Sequence, residues 1–521
     1  MLKLKFRRKV DYKRDRSSSV EVRVFRSCIS DGVEVLDSYK VCNDQVQVVI
    51  AERGGEGLYL INEPSLLDVE VEIYHKLSNL LRFELELPEC EVDLARFIRA
   101  QARRIAADYG FKAIYDLSID RIIYFVQRDL GYGPIEPLMR DPDIEDIKCV
   151  GPGFPFIVWH RRFGHLDWLT TNVILTEAEM NALASKLAHM AGKHVSIAFP
   201  IVDAVLPDKH RVSICYGREV SQRSTNICIR KFREKPYTVM HLIYDFNTLS
   251  ALMAAYFWML IENKKSIFVI GGTATGKTTL LSALGALFKP DWTVETIEDV
   301  PELKIPVKGW EPLVTRHAYA VGEKISEITL FDLVKVAMRK RPDYIVVGEI
   351  RGEEAYVLFQ AAATGHGCMC TMHAASLEAA IKRLTSPPMS VSPSYIPLMN
   401  CAVIVRRVEL TSGVYRKVVG VYEIEDYGKY RRIFNWIPSI NDFEPKSVEA
   451  IVSESRILGQ ICIERGWSMR RVCEEIKRRV NFFQELNDRG VREYEDFVKE
   501  LRSFYSKKPN YAFKEVFKIE V

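Results

Sequence analysis

Apolar and polar residues alternate along the chain in a regular series that is densest between residues 241 and 425. Short apolar runs rich in Val and Ile predict buried strands, and apolar positions three and four residues apart predict helices between them. The strands are expected at 267–270, 294–297, 344–347, 369–372 and 402–408, and the helices at 277–288, 330–339, 354–364 and 377–384. Strands that alternate with helices are typical of a mostly parallel sheet covered by helices, so the predicted fold class is α/β.

The regions that flank this series show other patterns. We expect a small α/β unit with a basic tail at 1–100, a second mixed unit at 101–234, a linker at 235–240 and a helical subdomain at 426–521. A chain of 521 residues is long enough for several domains. Its longest apolar run, 251–261, is too short to span a membrane. The sequence therefore predicts a multidomain protein without a transmembrane helix.

Composition bears on which partners the protein binds and on whether its cysteines are reduced. The chain has 73 basic and 69 acidic residues, and this net charge of +4 is too small to indicate nucleic-acid binding by itself. Its 11 cysteines include no C-x-x-C pair, which argues against a zinc ribbon. Scattered cysteines of odd number, with no apolar leader, favour reduced thiols in a cytosolic protein.

A glycine-rich segment after the first predicted strand carries the clearest chemistry. It fits the pattern G-x-x-x-x-G-K-T between a strand and a helix, in which glycines let successive backbone N–H groups converge on a phosphate. Lys277 supplies a positive charge for the β- and γ-phosphates, and Thr278 supplies a hydroxyl for Mg²⁺. The expected nucleotide-binding residues of this segment are Gly271, Gly272, Thr273, Ala274, Thr275, Gly276, Lys277, Thr278 and Thr279.

Acidic side chains follow two later strands. Glu298 ends the strand predicted at 294–297, and Glu349 follows the strand predicted at 344–347. In a Walker B strand the usual acid would stand at Gly348, so Glu349 lies one residue beyond it. Because the carboxyl ends of parallel strands meet at one edge of a sheet, both acids are expected near the phosphates. The alternative is an acidic turn that faces solvent.

Two histidines, His366 and His373, bracket the strand predicted at 369–372. A single histidine is usually a satisfied polar group, but two at the ends of one strand near a phosphate-binding loop favour a functional role. They are expected to sense the γ-phosphate or to pair with an acid. A zinc role is disfavoured because no third ligand lies nearby in the sequence.

Together these stretches resemble the ATPases of type II secretion, type IV pilus and archaellum systems, and the related type IV secretion ATPases. In that family the four motifs are called Walker A, the aspartate box, Walker B and the histidine box, and they match residues 271–278, 296–302, 345–349 and 365–373. The resemblance covers about residues 100 to 510. The chain lacks the tetracysteine zinc insert of many bacterial type II members and looks like an archaeal member.

The resemblance implies a fold and an activity. It implies a PAS-like α+β domain at 101–234 hinged to a RecA-like P-loop NTPase core at 241–425, with ATP between them and against a neighbour in a homo-hexameric ring. It implies Mg²⁺-dependent ATP hydrolysis at the cytoplasmic, inner face of the cell membrane. The motion would drive secretion, or assembly of a type IV pilus-like or archaellum filament, through a polytopic membrane platform protein.

The resemblance also implies roles for single residues. Glu298 becomes the base that orients water, and Glu349 becomes the acid on the Mg²⁺ side. The two histidines would couple the state of the nucleotide to the structure. Arg211 and Arg230 match positions that reach the phosphates or a subunit boundary, although Arg211 pairing with a nearby aspartate is the alternative.

Other functions fit parts of the sequence. A nucleic-acid translocase of the RecA-like class is disfavoured because no basic helix interleaved with aromatic residues is present. A nucleotide-gated scaffold without turnover is disfavoured by the full set of acids. The basic residues within 1–16 predict a solvated tail or, alternatively, a patch for anionic lipid headgroups.

Overall fold

The structure is a computed structural model that describes residues 23–26, 32–83, 100, 104, 116–233, 235–316, 327–410 and 413–506. The chain divides into two compact units, Met1–Arg233 and Glu234–Val521. Among the described residues, each unit is built on its own sheet of nine strands. The basic run within 1–16 lies outside the described residues.

The sheet of the first unit has the strand order β1-β2-β3-β6-β5-β4-β9-β8-β7. Its strands are β1 (Glu34–Val41), β2 (Val46–Arg53), β3 (Glu56–Asn62), β4 (Ile144–Cys149), β5 (Pro155–His160), β6 (Trp168–Ile174), β7 (Ile201–Val205), β8 (Arg211–Cys215) and β9 (Asn226–Arg230). The described α-helices of this unit are α1 (Asp68–Phe83), α2 (Asp116–Leu130), α3 (Glu136–Arg140) and α4 (Glu177–Met190). These strands and helices share one apolar core.

The boundary that we expected near residue 100 does not separate two compact units. Strand β3 pairs in parallel with β6, with Leu58 opposite Thr170, so the early strands extend the sheet of the later ones. The Tyr59 hydroxyl strengthens this connection because it donates a 2.6 Å hydrogen bond to Asp141. The division of the chain near residue 100 into two domains stays a prediction. The PAS-like description of the later part stays a prediction.

The sheet of the second unit has the order β12-β11-β13-β14-β10-β15-β16-β17-β18. Its strands are β10 (Ile267–Gly271), β11 (Thr293–Glu298), β12 (Gly309–Val314), β13 (Tyr344–Ile350), β14 (Gly367–His373), β15 (Cys401–Leu410), β16 (Gly413–Asp426), β17 (Lys429–Ile437) and β18 (Asp442–Glu444). Strands β10 to β15 pair in parallel, as predicted, whereas β16 to β18 continue the sheet antiparallel. The fold class is therefore α/β, as expected.

Helices cover this second sheet. They are α5 (Ala251–Glu262), α6 (Lys277–Gly285), α7 (Leu330–Arg339), α8 (Glu354–Ala363), α9 (Leu377–Thr385), α10 (Val448–Glu454), α11 (Arg456–Arg465), α12 (Met469–Asp488) and α13 (Tyr494–Ser506). Helix α5 is apolar on every side, and all its residues from Leu252 onward are buried. No helix in the described part of the chain is both long and apolar enough to cross a bilayer.

The helical subdomain expected at 426–521 stays a prediction, and its described residues belong to the second compact unit. Strands β17 and β18 still belong to the sheet, and α12 and α13 pack on α5 within the same apolar core. Trp258 on α5 donates a 2.6 Å hydrogen bond from its indole nitrogen to the Tyr505 hydroxyl. Glu262 pairs with the buried Arg479 at 2.5 Å. Because α5 is buried on every side and α12 and α13 cover part of it, these C-terminal helices belong to the second unit.

The parallel strands of the second sheet all have their carboxyl ends on the same side of the sheet. Gly271, at the end of β10, lies opposite His373, at the end of β14. Strand β13 pairs with β14 on its other side, with Val347 opposite Cys370. Loops that leave β10, β11, β13 and β14 at this edge therefore begin side by side, as expected for a ligand site in an α/β sheet.

Candidate nucleotide-binding site

The glycine-rich loop leaves the fully buried strand β10 and turns directly into helix α6. Gly276, at the N-cap, has a left-handed backbone with a φ of 86°, a conformation that glycine adopts without strain. Gly271 is required for a different reason. A Cβ atom there would lie 2.5 Å from the carbonyl oxygen of Val405 and 2.7 Å from the Thr275 hydroxyl. The loop thus depends on two glycines, one for its turn and one for its packing.

Lys277 is the first residue of α6 and is only 7% exposed. Its ammonium donates a 2.7 Å hydrogen bond to the carbonyl oxygen of Gly272. It also lies 3.2 Å from Nε2 of His373. Burial lowers the pKa of Lys277, while the nearby Glu349 raises it and Arg351 lowers it. The lysine charge is therefore enclosed between the loop and the end of β14.

Glu349 and His373 lie next to this lysine. Nε2 of His373 is 3.7 Å from Oε1 of Glu349, and the other carboxylate oxygen, Oε2, pairs with Arg351 at 2.7 Å. Burial alone would raise the pKa of Glu349, but Arg351, His373 and Lys277 together lower it. Burial, followed by the charge of Lys277, lowers the pKa of His373. The edge therefore carries a cation, a neutral imidazole and an ionised carboxylate in a row.

The oxygen atoms at this edge suit a magnesium ion. Mg²⁺ prefers carboxylate and hydroxyl oxygens, together with water and phosphate oxygens. Glu349 supplies an ionised carboxylate, and Thr278, the second residue of α6, supplies a hydroxyl at the loop. These two residues fit the metal-binding role that the sequence suggests.

Glu298 ends strand β11 and is buried. Its carboxylate accepts hydrogen bonds from the backbone N–H groups of Glu302, at 2.9 Å, and Leu303, at 3.1 Å. Gly348 makes room for this side chain, because a Cβ atom there would lie 3.1 Å from Cγ of Glu298. The carboxylate holds the loop after β11 in place, and its role as the base stays a prediction.

The structure does not bring His366 to loop 271–278 of the same unit. His366 immediately precedes β14, whereas His373 ends it, and seven residues of strand span roughly 20 Å. Nδ1 of His366 contacts the Thr364 hydroxyl at 3.0 Å and the Ala361 carbonyl oxygen at 3.2 Å. The two histidines therefore lie at opposite ends of β14.

Arg211 and Arg230 lie opposite each other on β8 and β9 of the first unit. Arg211 pairs with Asp203 at 2.6 Å, as the alternative interpretation of the sequence suggested. Arg230 pairs with Asp146 at 3.1 Å. Both arginines are thus held by carboxylates of their own unit, and their roles toward phosphate stay predictions.

One residue near the loop was missed from the sequence. Arg416, on β16, donates a 3.1 Å hydrogen bond from Nε to the carbonyl oxygen of Ala274. The two residues are 142 positions apart in the chain. No local pattern marks this arginine, because its approach depends on the pairing of β15 with both β10 and β16.

Comparison with known proteins identifies a family. The sequence model of a family described as type II/IV secretion system protein matches residues 131–411, more than half of the chain. MJ0900, an uncharacterized protein of the archaeon Methanocaldococcus jannaschii, is 37% identical over 398 residues, which cover 74% of this chain and 70% of the relative. The type IV secretion system protein PtlH of Bordetella pertussis is 29% identical over 282 residues, which cover 49% of this chain and 80% of PtlH.

A solved structure also matches part of the chain. The VirB11 ATPase from the Brucella suis type IV secretion system is 23% identical, with a TM-score of 0.28, over 56% of this chain and 92% of that one. The family match confirms the resemblance drawn from the four motifs, and the M. jannaschii relative agrees with the likeness to archaeal members. The chain therefore belongs to the type II/IV secretion system protein family.

Proposed function

We propose that the chain is an ATPase whose turnover powers protein secretion or the assembly of a type IV pilus-like or archaellum filament. The observation that carries this proposal is the row formed by Lys277, His373 and Glu349 at the carboxyl edge of the second sheet. The row begins at a loop of the P-loop pattern, in which a lysine and backbone N–H groups bind phosphates. Membership of a secretion family supports the same function.

Different residues of the chain have different roles in phosphoryl transfer in this proposal. The N–H groups of loop 271–278 and Lys277 bind the phosphate oxygens and offset the negative charge that develops during cleavage. Thr278 and Glu349 would hold Mg²⁺, which would supply positive charge to offset the charge that develops on the phosphates. Glu298 orients the attacking water. Phosphoryl transfer needs positions and charges more than covalent chemistry, and these residues supply both.

The assembled protein is proposed to be a homo-hexameric ring at the inner face of the cell membrane. Its partner is a polytopic membrane platform protein of the secretion or filament system, and ATP-driven domain closure supplies the motion. Arg211 and Arg230 contribute positive charge at a subunit boundary in this proposal. PtlH, which is described as a type IV secretion system protein, supports the assignment to a secretion machine.

Phosphate release from ATP tests the enzymatic part. The purified chain with Mg²⁺ is compared with Lys277→Ala and with Lys264→Ala, which removes a lysine near the amino end of β10 that pairs with Asp343. Loss of the loop lysine is expected to slow release by about 100-fold or more, since one stabilising group is worth that much. The control is expected to retain activity. Equal rates for Lys277→Ala and the unchanged protein would reject the proposal.

Light scattering tests the ring. The chain is measured by size-exclusion chromatography with and without a nonhydrolysable ATP analogue. A species of six chains of 59.9 kDa each is expected in the presence of the analogue. A monomer under all conditions would contradict the ring while leaving ATP hydrolysis untouched.

A further inference from the structure

Arg416 reaches across the sheet to the phosphate-binding loop. Its Nε donates to the carbonyl oxygen of Ala274 at 3.1 Å. Its stem runs along the loop, because Cδ of Arg416 lies 3.1 Å from the point where a Cβ atom of residue 276 would be. Glycine at 276 therefore serves a second purpose, since it leaves space for the arginine stem.

The hydrogen bond acts on an unusual peptide group. Ala274 has a φ of 57°, in the left-handed region that residues with a Cβ rarely adopt. In a trans peptide the carbonyl and the following N–H point in opposite directions. With the Ala274 carbonyl turned toward Arg416, the N–H of Thr275 points away from the arginine. The arginine thus fixes the direction of a backbone N–H within the loop.

The charges around Arg416 come from the described residues of β15 and β16. Among the residues that the structure describes, no carboxylate forms an ion pair with Arg416. The side chain is exposed at the loop, and its cross-strand neighbour on β15 is another arginine, Arg407. A guanidinium presents its donors in a fixed fork that suits phosphate oxygens. The rim of the loop therefore carries a positive charge in addition to Lys277.

We propose that Arg416 is a positioning residue of the nucleotide site. It holds the peptide between Ala274 and Thr275 in its anion-binding orientation, and its charge strengthens binding of nucleoside di- and triphosphates. This inference rests on the proposed function. Residues 274–276 belong to the part of a P-loop whose backbone surrounds the inner phosphates. ADP and ATP are therefore expected to depend on Arg416 to the same degree.

Calorimetric titration with ADP and with a nonhydrolysable ATP analogue tests the inference. Arg416→Met keeps an apolar stem against Gly276 but removes the charge and every donor. Its affinity for both ligands is expected to fall about tenfold, as for loss of a charged hydrogen bond. Arg416→Lys restores a positive charge and an ammonium that can donate hydrogen bonds. It is expected to recover more than half of the loss in affinity on a logarithmic scale.

Arg432→Met is the matched control. Arg432 is also exposed on the second sheet and also donates to a backbone carbonyl, that of Val419, at 2.8 Å. It is expected to change affinity less than twofold. In turnover assays, Arg416→Met is expected to raise KM and to leave kcat within about twofold. A simple folding defect would lower kcat as well.

The outcomes separate this inference from the proposed function. If the unchanged protein binds neither ligand, the proposed function fails. If the unchanged protein binds both and Arg416→Met binds equally well, only the inference about Arg416 is overturned. A loss of kcat at constant KM, or an equal loss in Arg432→Met, overturns it too.

Discussion

The ammonium of Lys277 lies 3.2 Å from Nε2 of His373, and the same imidazole nitrogen lies 3.7 Å from the Glu349 carboxylate. Lys277 begins helix α6, which follows strand β10, and β10 pairs directly with β14, with Gly271 opposite His373. Burial is the largest cause of the lowered pKa of His373, and repulsion between a protonated imidazole and the ammonium lowers it further. His373 therefore lies between the lysine proposed to bind phosphate and the acid proposed to hold Mg²⁺.

The two histidines of the motif are expected to differ in effect. His373→Ala removes the group between Lys277 and Glu349, so kcat for ATP hydrolysis is expected to fall about tenfold, which corresponds to about 1.4 kcal/mol. His366→Ala, at the opposite edge of the sheet, is the control and is expected to keep kcat within about twofold. Steady-state phosphate release measures both. Equal losses in the two variants would contradict a special position of His373.

Gly271 and Gly272 are adjacent in the loop, so alanine substitutions at the two positions can be compared directly. Gly271→Ala places a methyl group 2.5 Å from the backbone oxygen of Val405, so the loop or β15 must shift. Overpacking of this kind costs about 1–3 kcal/mol, and ATP affinity is expected to fall at least tenfold. In Gly272→Ala the new methyl group is 3.8 Å from its nearest neighbour.

Thermal unfolding and nucleotide titration measure this pair. Gly272→Ala is expected to keep the unfolding midpoint of the unchanged protein, and Gly271→Ala is expected to lower it by several degrees. Normal nucleotide affinity in Gly271→Ala would show that close packing against Val405 does not shape the site.

Glu298→Gln separates a structural role from a catalytic one. The glutamine oxygen can still accept from the N–H groups of Glu302 and Leu303, so the fold is expected to persist. The amide cannot serve as a base, and phosphate release is expected to fall about 100-fold or more while ATP still binds. Glu302→Gln is the control and is expected to hydrolyse ATP normally. Retained release in Glu298→Gln would move the base to another residue.

Lys231 gives the first unit a pH-dependent stability. Its ammonium donates to the backbone carbonyl oxygens of Leu138, at 3.1 Å, and Asp141, at 2.5 Å, and burial lowers the pKa of Lys231 to about 7 from its ordinary 10.5. Between these two values the unfolded chain binds more protons than the folded one. Stability therefore rises with pH across this window, by at most about 1.4 kcal/mol per pH unit.

Unfolding midpoints at pH 7 and pH 9.5 test this sign. The unchanged protein is expected to gain stability relative to Lys231→Met as the pH rises from about 7 to about 9.5. Lys148→Met, which removes an exposed lysine from β4 of the same sheet, is expected to follow the unchanged protein. Parallel curves for the unchanged protein and Lys231→Met would contradict a lowered pKa for Lys231.

The glycine-rich loop between β10 and α6 and the elements around it could be predicted because their signals are local. Loop 271–278 is defined by eight consecutive residues, and helix α7 spans the predicted range 330–339. Apolar spacing decides such elements before any distant contact forms. The sequence also showed that the two histidines bracket a predicted strand. Only the parallel pairing of β14 with β10 shows that His373 is the one beside the loop.

Long-range pairing could not be predicted. The parallel pairing of Leu58 with Thr170 joins segments that differ in composition and lie far apart in sequence. The hydrogen bond from Arg416 to Ala274 spans 142 residues. Such contacts depend on which strands become neighbours, and a single sequence holds no periodic signal for that choice.

The binding of ATP in the loop is the central claim, and a crystal structure with Mg²⁺ and a nonhydrolysable ATP analogue tests it most directly. The account predicts phosphate oxygens within hydrogen-bond distance of the loop N–H groups and of Nζ of Lys277, with Mg²⁺ near Thr278 and Glu349. An analogue bound at saturating concentration anywhere else on the chain, with loop 271–278 free of phosphate, would contradict it.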